Sequence, residues 1–163
     1  MAAIALLSAA CTNSPVAPSV SALPSDEGGS VQATANSHWI LDSTGCNTSG
    51  DPITCWFKVA GLGKNQGITI TLSVDAQIQF SCRNPGGQDP PPWQNLRRTL
   101  SDSATLTSGK NGQVTGSLSV SGSNASPPAA SDVCPNGNWT VVDWHVVEGT
   151  ASLSSPGLPT LNY

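Results

Sequence analysis

Tryptophan is the residue type in this chain best suited to recognition, with five copies against two phenylalanines and one tyrosine. An exposed indole ring can stack on a flat apolar surface, such as one face of a sugar ring, and its N–H can donate a hydrogen bond. The expected positions of Trp56, Trp93 and Trp139 make them candidates for exposed rings. We predict that these three bind a ligand. The alternative is that each ring covers a sheet edge or an end of the domain.

Trp93 has a further feature, because three prolines precede it in the sequence. A proline-rich backbone is stiff, so this segment could present the ring as a rigid projection.

The titratable side chains form no recognisable catalytic pattern. His145 and Asp143 stand two residues apart, so they could share a strand face and bind a metal or transfer protons. No third partner is evident, and no G-x-S-x-G motif occurs. Glu27 and Glu148 are the only glutamates, so a pair of glycosidase carboxylates would have to come from scattered aspartates. We therefore predict a protein with no catalytic residues, no metal site and no cofactor.

The charge distribution argues against nucleic acid as a partner. Ten acidic residues outnumber six basic ones, which gives a formal net charge of −4. Among the basic residues only Arg97 and Arg98 are adjacent. Binding to a phosphate backbone requires clustered positive charge, which is missing here.

The five cysteines indicate disulfides. An odd number is unusual in an exported protein, and a lipid on Cys11 would leave an even set for which three pairings are open. Segment 47–52 is rich in turn residues, and two of the four remaining cysteines lie on either side of it. This arrangement favours a local bridge across a hairpin, with a second, long-range bridge between the other two cysteines. The predicted pairs are Cys46 with Cys55 and Cys82 with Cys134. A structural zinc site is disfavoured, because its ligands usually come as close C-x₂₋₄-C pairs.

The first residues are typical of an export signal. Residues 1–10 are apolar and small, a run too short to span a bilayer but suited to the core of a signal peptide. The sequence Ser8-Ala9-Ala10-Cys11 resembles the bacterial lipoprotein signal, which implies lipidation of Cys11. It departs from that pattern in the position of Leu7 and in the missing basic residues. The alternative is an ordinary secretory signal cleaved after Ala9 or Ala10.

The chain divides into three parts on composition. Residues 1–11 are the signal with its lipidation motif, and residues 12–29 form a linker of Pro, Ser and Ala that cannot bury enough surface to fold. Residues 30–163 form the predicted domain. Disulfides place this domain outside the cytosol, either on the cell surface as a lipoprotein or secreted.

Short segments of alternating polarity recur from residue 30 onward and predict an all-β fold. On the clearest of them, Ile78, Phe80 and Cys82 share the inward face. The predicted strands are 30–41, 53–60, 67–74, 76–83, 99–107, 113–120, 139–148 and 150–154. Seven or eight strands at these spacings predict a single antiparallel immunoglobulin-like β-sandwich.

The alternation of side chains along a strand also predicts which residues at 139–148 face the core. It predicts that Val142, Trp144 and Val146 face the core, with Trp139 and His145 on the other face. Two longer loops are expected, at 84–96 and at 121–138.

Three further strings carry a resemblance: Cys82-Arg-Asn-Pro-Gly-Gly87, Lys110-Asn-Gly-Gln113 and Cys134-Pro-Asn-Gly-Asn-Trp139. They resemble those of small secreted proteins and lipoproteins of actinobacterial type, over about residues 53–153. The resemblance implies an exported single sandwich and implies no activity.

These observations favour three functions, which we give in order of preference. The first is a non-catalytic extracellular or cell-envelope domain on a tether, which binds or builds part of the surface. The second is a carbohydrate-binding module that uses exposed tryptophans, and the third is a small secreted hydrolase or inhibitor. The expected partner is a surface ligand, either a polysaccharide or another envelope protein. Contact with the membrane would come only through a lipid anchor, and an exposed edge strand would allow self-association.

Overall fold

A computed structural model describes residues 36–88, 93–124 and 126–163. The predicted signal, the lipidation site Cys11, the linker at 12–29 and the start of the first predicted strand lie outside the described residues.

The described chain is built almost entirely from strands, which confirms the all-β prediction. The strands are β1 (His38–Trp39), β2 (Gly45–Asn47), β3 (Ile53–Ala60), β4 (Gly67–Arg83), β5 (Gln94–Thr107), β6 (Val114–Val120), β7 (Thr140–Ser154) and β8 (Leu161–Asn162). The helical elements are two 3₁₀ turns, Leu41–Ser43 and Gly122–Asn124, and the short helix α1, Ala130–Val133. None of the helices among the described residues has the length and apolar content needed to cross a membrane.

The strands form two antiparallel sheets. In sheet A, strand β3 is central, with β1 and β2 along one side and β6 along the other. In sheet B the order is β5-β4-β7-β8. Because β3 and β4 are consecutive in the chain but belong to different sheets, the short connection between them passes from one sheet to the other.

The two sheets contribute buried side chains to one hydrophobic core. In β4 every second residue from Ile68 to Cys82 is buried, and β3 supplies Ile53, Phe57 and Val59 from the other sheet. Each buried Val, Ile, Leu or Phe side chain contributes roughly 1.5–3 kcal/mol when it is removed from water. The core therefore explains the strict alternation that the sequence displays, since it fills one face of each sheet.

Gly149 of β7 marks a place where the sheets approach closely. A Cβ at this position would lie 2.6 Å from Val74 Cγ1 and 3.0 Å from Ile53 Cδ1. Val74 belongs to sheet B and Ile53 to sheet A, so any larger side chain would push against both sheets. Glycine is required here for space.

Several strands are longer than predicted. The segments at 67–74 and 76–83 form one strand, because the exposed residue between them, Asp75, sits at an outward position and does not interrupt the alternation. The predicted strands at 139–148 and 150–154 likewise form the single strand β7. Strand β5 begins at Gln94, so the predicted loop at 84–96 is shorter than expected.

Strand β7 departs from simple alternation. Its pairing with β4 shifts register twice, and Asp143 has a φ of 49° at the second irregularity. The prediction that Val142, Trp144 and Val146 share one face is wrong: Val142 pairs with Ser81 on the outer face, while Val146 is buried. A bulge inserts an extra residue and so reverses the alternation beyond it. Trp144 does pack against the core, as predicted.

Both predicted disulfides are confirmed. Cys46 and Cys55 are direct partners in the β2–β3 pairing, with their Cα atoms 4.0 Å apart. Cys82 near the end of β4 is bonded to Cys134, the residue after α1, at a Cα distance of 5.9 Å. The second bond ties the connection between β6 and β7 to sheet B. Two disulfides are consistent with an extracellular protein.

Candidate functional site

The structure places Trp56 on the outer face of sheet A, where it is 48% exposed. Its ring lies over Gly45, its direct partner on the edge strand β2. A Cβ at Gly45 would come within 2.9 Å of Cζ2 of the indole. An aromatic ring that covers a glycine on an edge strand stabilises the strand pairing. The packing alternative therefore accounts for Trp56.

Trp139 lies just before β7 and is half-buried. Its backbone N–H donates to the carbonyl of Asn136 at 3.1 Å and closes the turn that leads into the strand.

Trp93 is 47% exposed and lies directly before β5, a strand of sheet B. The outer faces of two packed sheets point in opposite directions, so Trp93 and Trp56 cannot contact one flat ligand together. The three candidate tryptophans thus do not form a single surface.

Trp93 is instead supported by a second ring. Its centroid lies 5.3 Å from that of His145, and the two planes meet at 71°, an edge-on arrangement. Such a pair is worth about 0.5–1.5 kcal/mol beyond its buried area. His145 pairs with Gln79 of β4 and faces outward, as predicted. The contact restrains the indole while about half of the residue stays open to solvent.

Other side chains suited to recognition lie along the outer face of sheet B. Strand pairing places Asn95 beside Gln79, and it places Arg97 and Glu148 on either side of Gln77. All of these residues are partly or fully exposed. We call this surface the platform, and we define it by six residues on or next to three adjacent strands: Gln77, Gln79, Trp93, Asn95, Arg97 and Glu148.

A cleft of about 200 Å³ adjoins the platform. The platform residues Gln77, Arg97 and Glu148 line it together with Thr48 and Ser49 from the segment after β2. That segment is joined to β7 by backbone hydrogen bonds, one of them from the N–H of Gly149 to the carbonyl of Thr48 at 3.0 Å. These bonds hold one wall of the cleft against β7.

The charges on this face largely cancel. Arg97 Nη1 lies 3.3 Å from Asp75 Oδ2, and both side chains are more than half exposed. An ion pair this exposed adds at most about 1 kcal/mol to stability. Its main effect is local neutralisation, which leaves Glu148 as the remaining charged group of the platform.

The predicted pairing of His145 with Asp143 on one strand face is not what the structure shows. His145 has a partner on β4, whereas Asp143 falls inside the bulge and has none there. Among the described residues no group of three His, Cys, Asp or Glu side chains is placed to hold a metal ion.

Most platform residues were not among the candidates from sequence. The alternation of polar and apolar residues is enough to predict that Gln77 and Gln79 point outward, and the sequence shows that alternation. Their proximity to Asn95, Arg97 and Glu148 depends on the registers of two long strand pairs. Those registers include a β7 bulge that alternation does not reveal.

Comparison with models of known protein families, with curated proteins and with solved structures finds no match for this chain. The resemblance to small secreted proteins of actinobacterial type stays a prediction. The chain's own residues and geometry are the basis for any function assigned to it.

Proposed function

We propose that this chain is an exported, non-catalytic domain that binds a ligand of the cell surface or envelope through the platform. The observation that supports this proposal is the arrangement of six polar or aromatic side chains on one solvent-facing side of sheet B. Strand pairing fixes the backbone that carries these side chains, so binding does not have to order that backbone.

Export is part of the proposal. The two disulfides support an oxidising compartment, and the apolar start of the sequence with Cys11 supports a lipid anchor. Residues 12–29 would then act as a tether. Replacement of Cys11 by serine should move the full chain from the membrane fraction to the medium, and mass spectrometry should show loss of the lipid. Retention of Cys11→Ser in the membrane fraction would argue against the anchor.

We also propose that the two sheets form an immunoglobulin-like sandwich. The connections β3–β4, β5–β6 and β6–β7 each join strands of different sheets, and every pairing within a sheet is antiparallel. Alternation of the chain between two packed antiparallel sheets is typical of that architecture.

The absence of catalysis is supported by the surroundings of His145. Its ring packs on Trp93 at the outer face of a sheet, beside the amide of Gln79. A secreted hydrolase or inhibitor is the competing function. A hydrolase that uses His145 would lose activity in His145→Gln, so equal hydrolysis of secreted-enzyme substrates by both proteins, or none, is the result we expect.

A carbohydrate-binding module is the second candidate function, and Trp93 is the observation that favours it. The ring is half exposed, restrained by His145 and next to amide side chains. Ring stacking combined with hydrogen bonds from polar side chains suits a polyol.

Co-sedimentation of the full chain with isolated bacterial cell envelopes tests the proposal. The unmodified chain is expected to sediment with the envelopes, and Trp93→Ala with Gln79→Ala should abolish this. Trp56→Ala is the matched control, because it removes an equally exposed indole from the opposite sheet. Sedimentation that persists in the double variant, or that is lost equally in the control, would contradict binding through the platform.

A further inference from the structure

We infer that the platform takes a neutral glycan chain that lies along β4, with one sugar ring against Trp93. This inference rests on the proposed function, since it names the ligand class of the same surface.

The hydrogen-bonding groups of the platform favour hydroxyl ligands. Gln77, Gln79 and Asn95 carry side-chain amides, each of which offers both a donor and an acceptor. Gln79 and Asn95 are direct cross-strand partners, and Gln77 lies about 7 Å from Gln79 along the same strand. A sugar hydroxyl likewise donates and accepts, so adjacent hydroxyls of a glycan can satisfy a row of amides without any charged group.

The charge of this face disfavours an acidic polymer. Arg97, the cation of the platform, is already bound to Asp75 at 3.3 Å. Glu148 lies opposite Gln77 on the next strand and adds a negative charge. The whole chain is also acidic, with a net charge of −4. Among the platform residues a polyanion would find no cation without a partner, whereas a neutral chain needs none.

The dimensions of the platform suit an extended chain. Trp93 comes directly before Gln94, the partner of Phe80 on β4, and the Arg97–Asp75 pair lies at the other end of the row. Five residues of strand separate Phe80 from Asp75, a span of about 17 Å. The span is long enough for several linked sugar rings, and the cleft beside Glu148 would accept the end of the chain or a branch.

The aromatic contact sets the position of one ring. Trp93 remains 47% exposed after its contact with His145. The C–H bonds on one face of a pyranose ring form an apolar patch that can rest on an indole. The neighbouring amide of Asn95 would then reach the hydroxyls at the rim of that ring.

Affinity electrophoresis of the full chain in gels that contain one soluble polymer each tests this inference. The neutral polymers are hydroxyethyl cellulose, dextran and mannan, and the polyanion is alginate. We expect retardation by at least one neutral polymer and none by alginate. Trp93→Ala should weaken the retarding interaction about thirtyfold, as expected for a truncated tryptophan at a binding hot spot. Trp56→Ala should bind as the unmodified chain does.

One further variant tests the role of the amides. Gln79→Ala should weaken the neutral interaction about tenfold, the effect of unpaired hydrogen-bonding groups. Circular dichroism melts of every variant report whether the fold is kept. Stronger retardation by alginate than by the neutral polymers would overturn the inference, and so would neutral binding that survives Trp93→Ala.

A failure of this inference can be told apart from a failure of the proposed function. If no polymer retards the chain but envelope sedimentation still depends on Trp93, the platform binds a ligand and the glycan class is wrong. If neither assay shows dependence on Trp93, both the ligand class and the function are wrong.

Discussion

The tryptophans of this chain make different contacts, and these contacts indicate different roles. Trp39 is only 6% exposed, and its Nε1–H donates to the carbonyl of Pro159 at 2.7 Å, a bond between β1 and the segment before β8. Trp56 covers Gly45, whereas Trp93 leans edge-on against His145 with much of its surface free. The skewed number of tryptophans therefore reflects structural roles as well as the recognition role that we propose for Trp93.

Trp39→Phe should lower the free energy of unfolding by about 2 kcal/mol, because the carbonyl of Pro159 loses its donor and the smaller ring leaves a void. Urea unfolding followed by circular dichroism measures the change. Trp56→Phe, which keeps an aromatic ring over Gly45, should stay within about 0.5 kcal/mol of the parent. Equal losses in the two variants would show that the buried hydrogen bond does not stabilise the fold.

Strands β5 and β6 are the edges of sheets B and A on one side of the domain, and no other described strand pairs with their outer sides. The carboxylate of Asp102 binds backbone from both of them. Its Oδ1 accepts from the N–H of Ser103 at 2.8 Å, and its Oδ2 accepts from the N–H of Ser119 at 3.3 Å. Occupied donors and a negative charge both hinder the addition of a further strand.

Asp102→Ala should therefore self-associate at lower concentration than the unmodified chain, because the N–H groups of Ser103 and Ser119 lose their acceptor. Size-exclusion chromatography with light scattering over a range of concentrations measures this. Asp75→Ala is the control, since it removes an acidic residue of β4, a strand paired on both sides. Identical masses for all three proteins at every concentration would refute a protective role of Asp102.

The two disulfides act over very different lengths of chain. Cys82 and Cys134 are 52 residues apart, whereas Cys46 and Cys55 are 9 apart. In the chain-entropy model the longer loop is worth about 4 kcal/mol and the shorter one about 2.5 kcal/mol.

Replacement of both Cys82 and Cys134 by serine should thus lower the melting temperature more than the same change at Cys46 and Cys55. About 4 kcal/mol corresponds to roughly 8–16 °C for a domain of this size. Differential scanning calorimetry of the two double variants provides the comparison. A larger loss from the local pair would mean that strain or packing, and not loop closure, sets the contribution of these bonds.

Local patterns were sufficient to predict much of the fold. The buried positions of β3 and β4 follow from period-two alternation, because a sheet with one packed face imposes that period on each strand. The turn-rich segment between Cys46 and Cys55 predicted their pairing, which left the second disulfide by elimination. These features depend on neighbours within a few residues, and the sequence displays such neighbours directly.

Contacts between residues that are far apart in the chain could not be predicted from such local patterns. Asp51 belongs to a segment predicted only as a turn, yet its carboxylate accepts hydrogen bonds from the backbone N–H groups of Gly122 and Val146. The bulge at Asp143 in β7 changes which residues face the core.

The kinds of side chain available for recognition and the alternation of the strands can be read from the chain alone, since both depend on residue type and local spacing. The set of tryptophans that could act together was decided by tertiary structure. Trp56 and Trp93 lie on opposite outer faces, and Trp93 joins amides that are brought together by the registers of β4 with β5 and β7. The register between two strands is set by the packing of one entire sheet face against the other sheet. It therefore cannot be read from the sequence of a single strand.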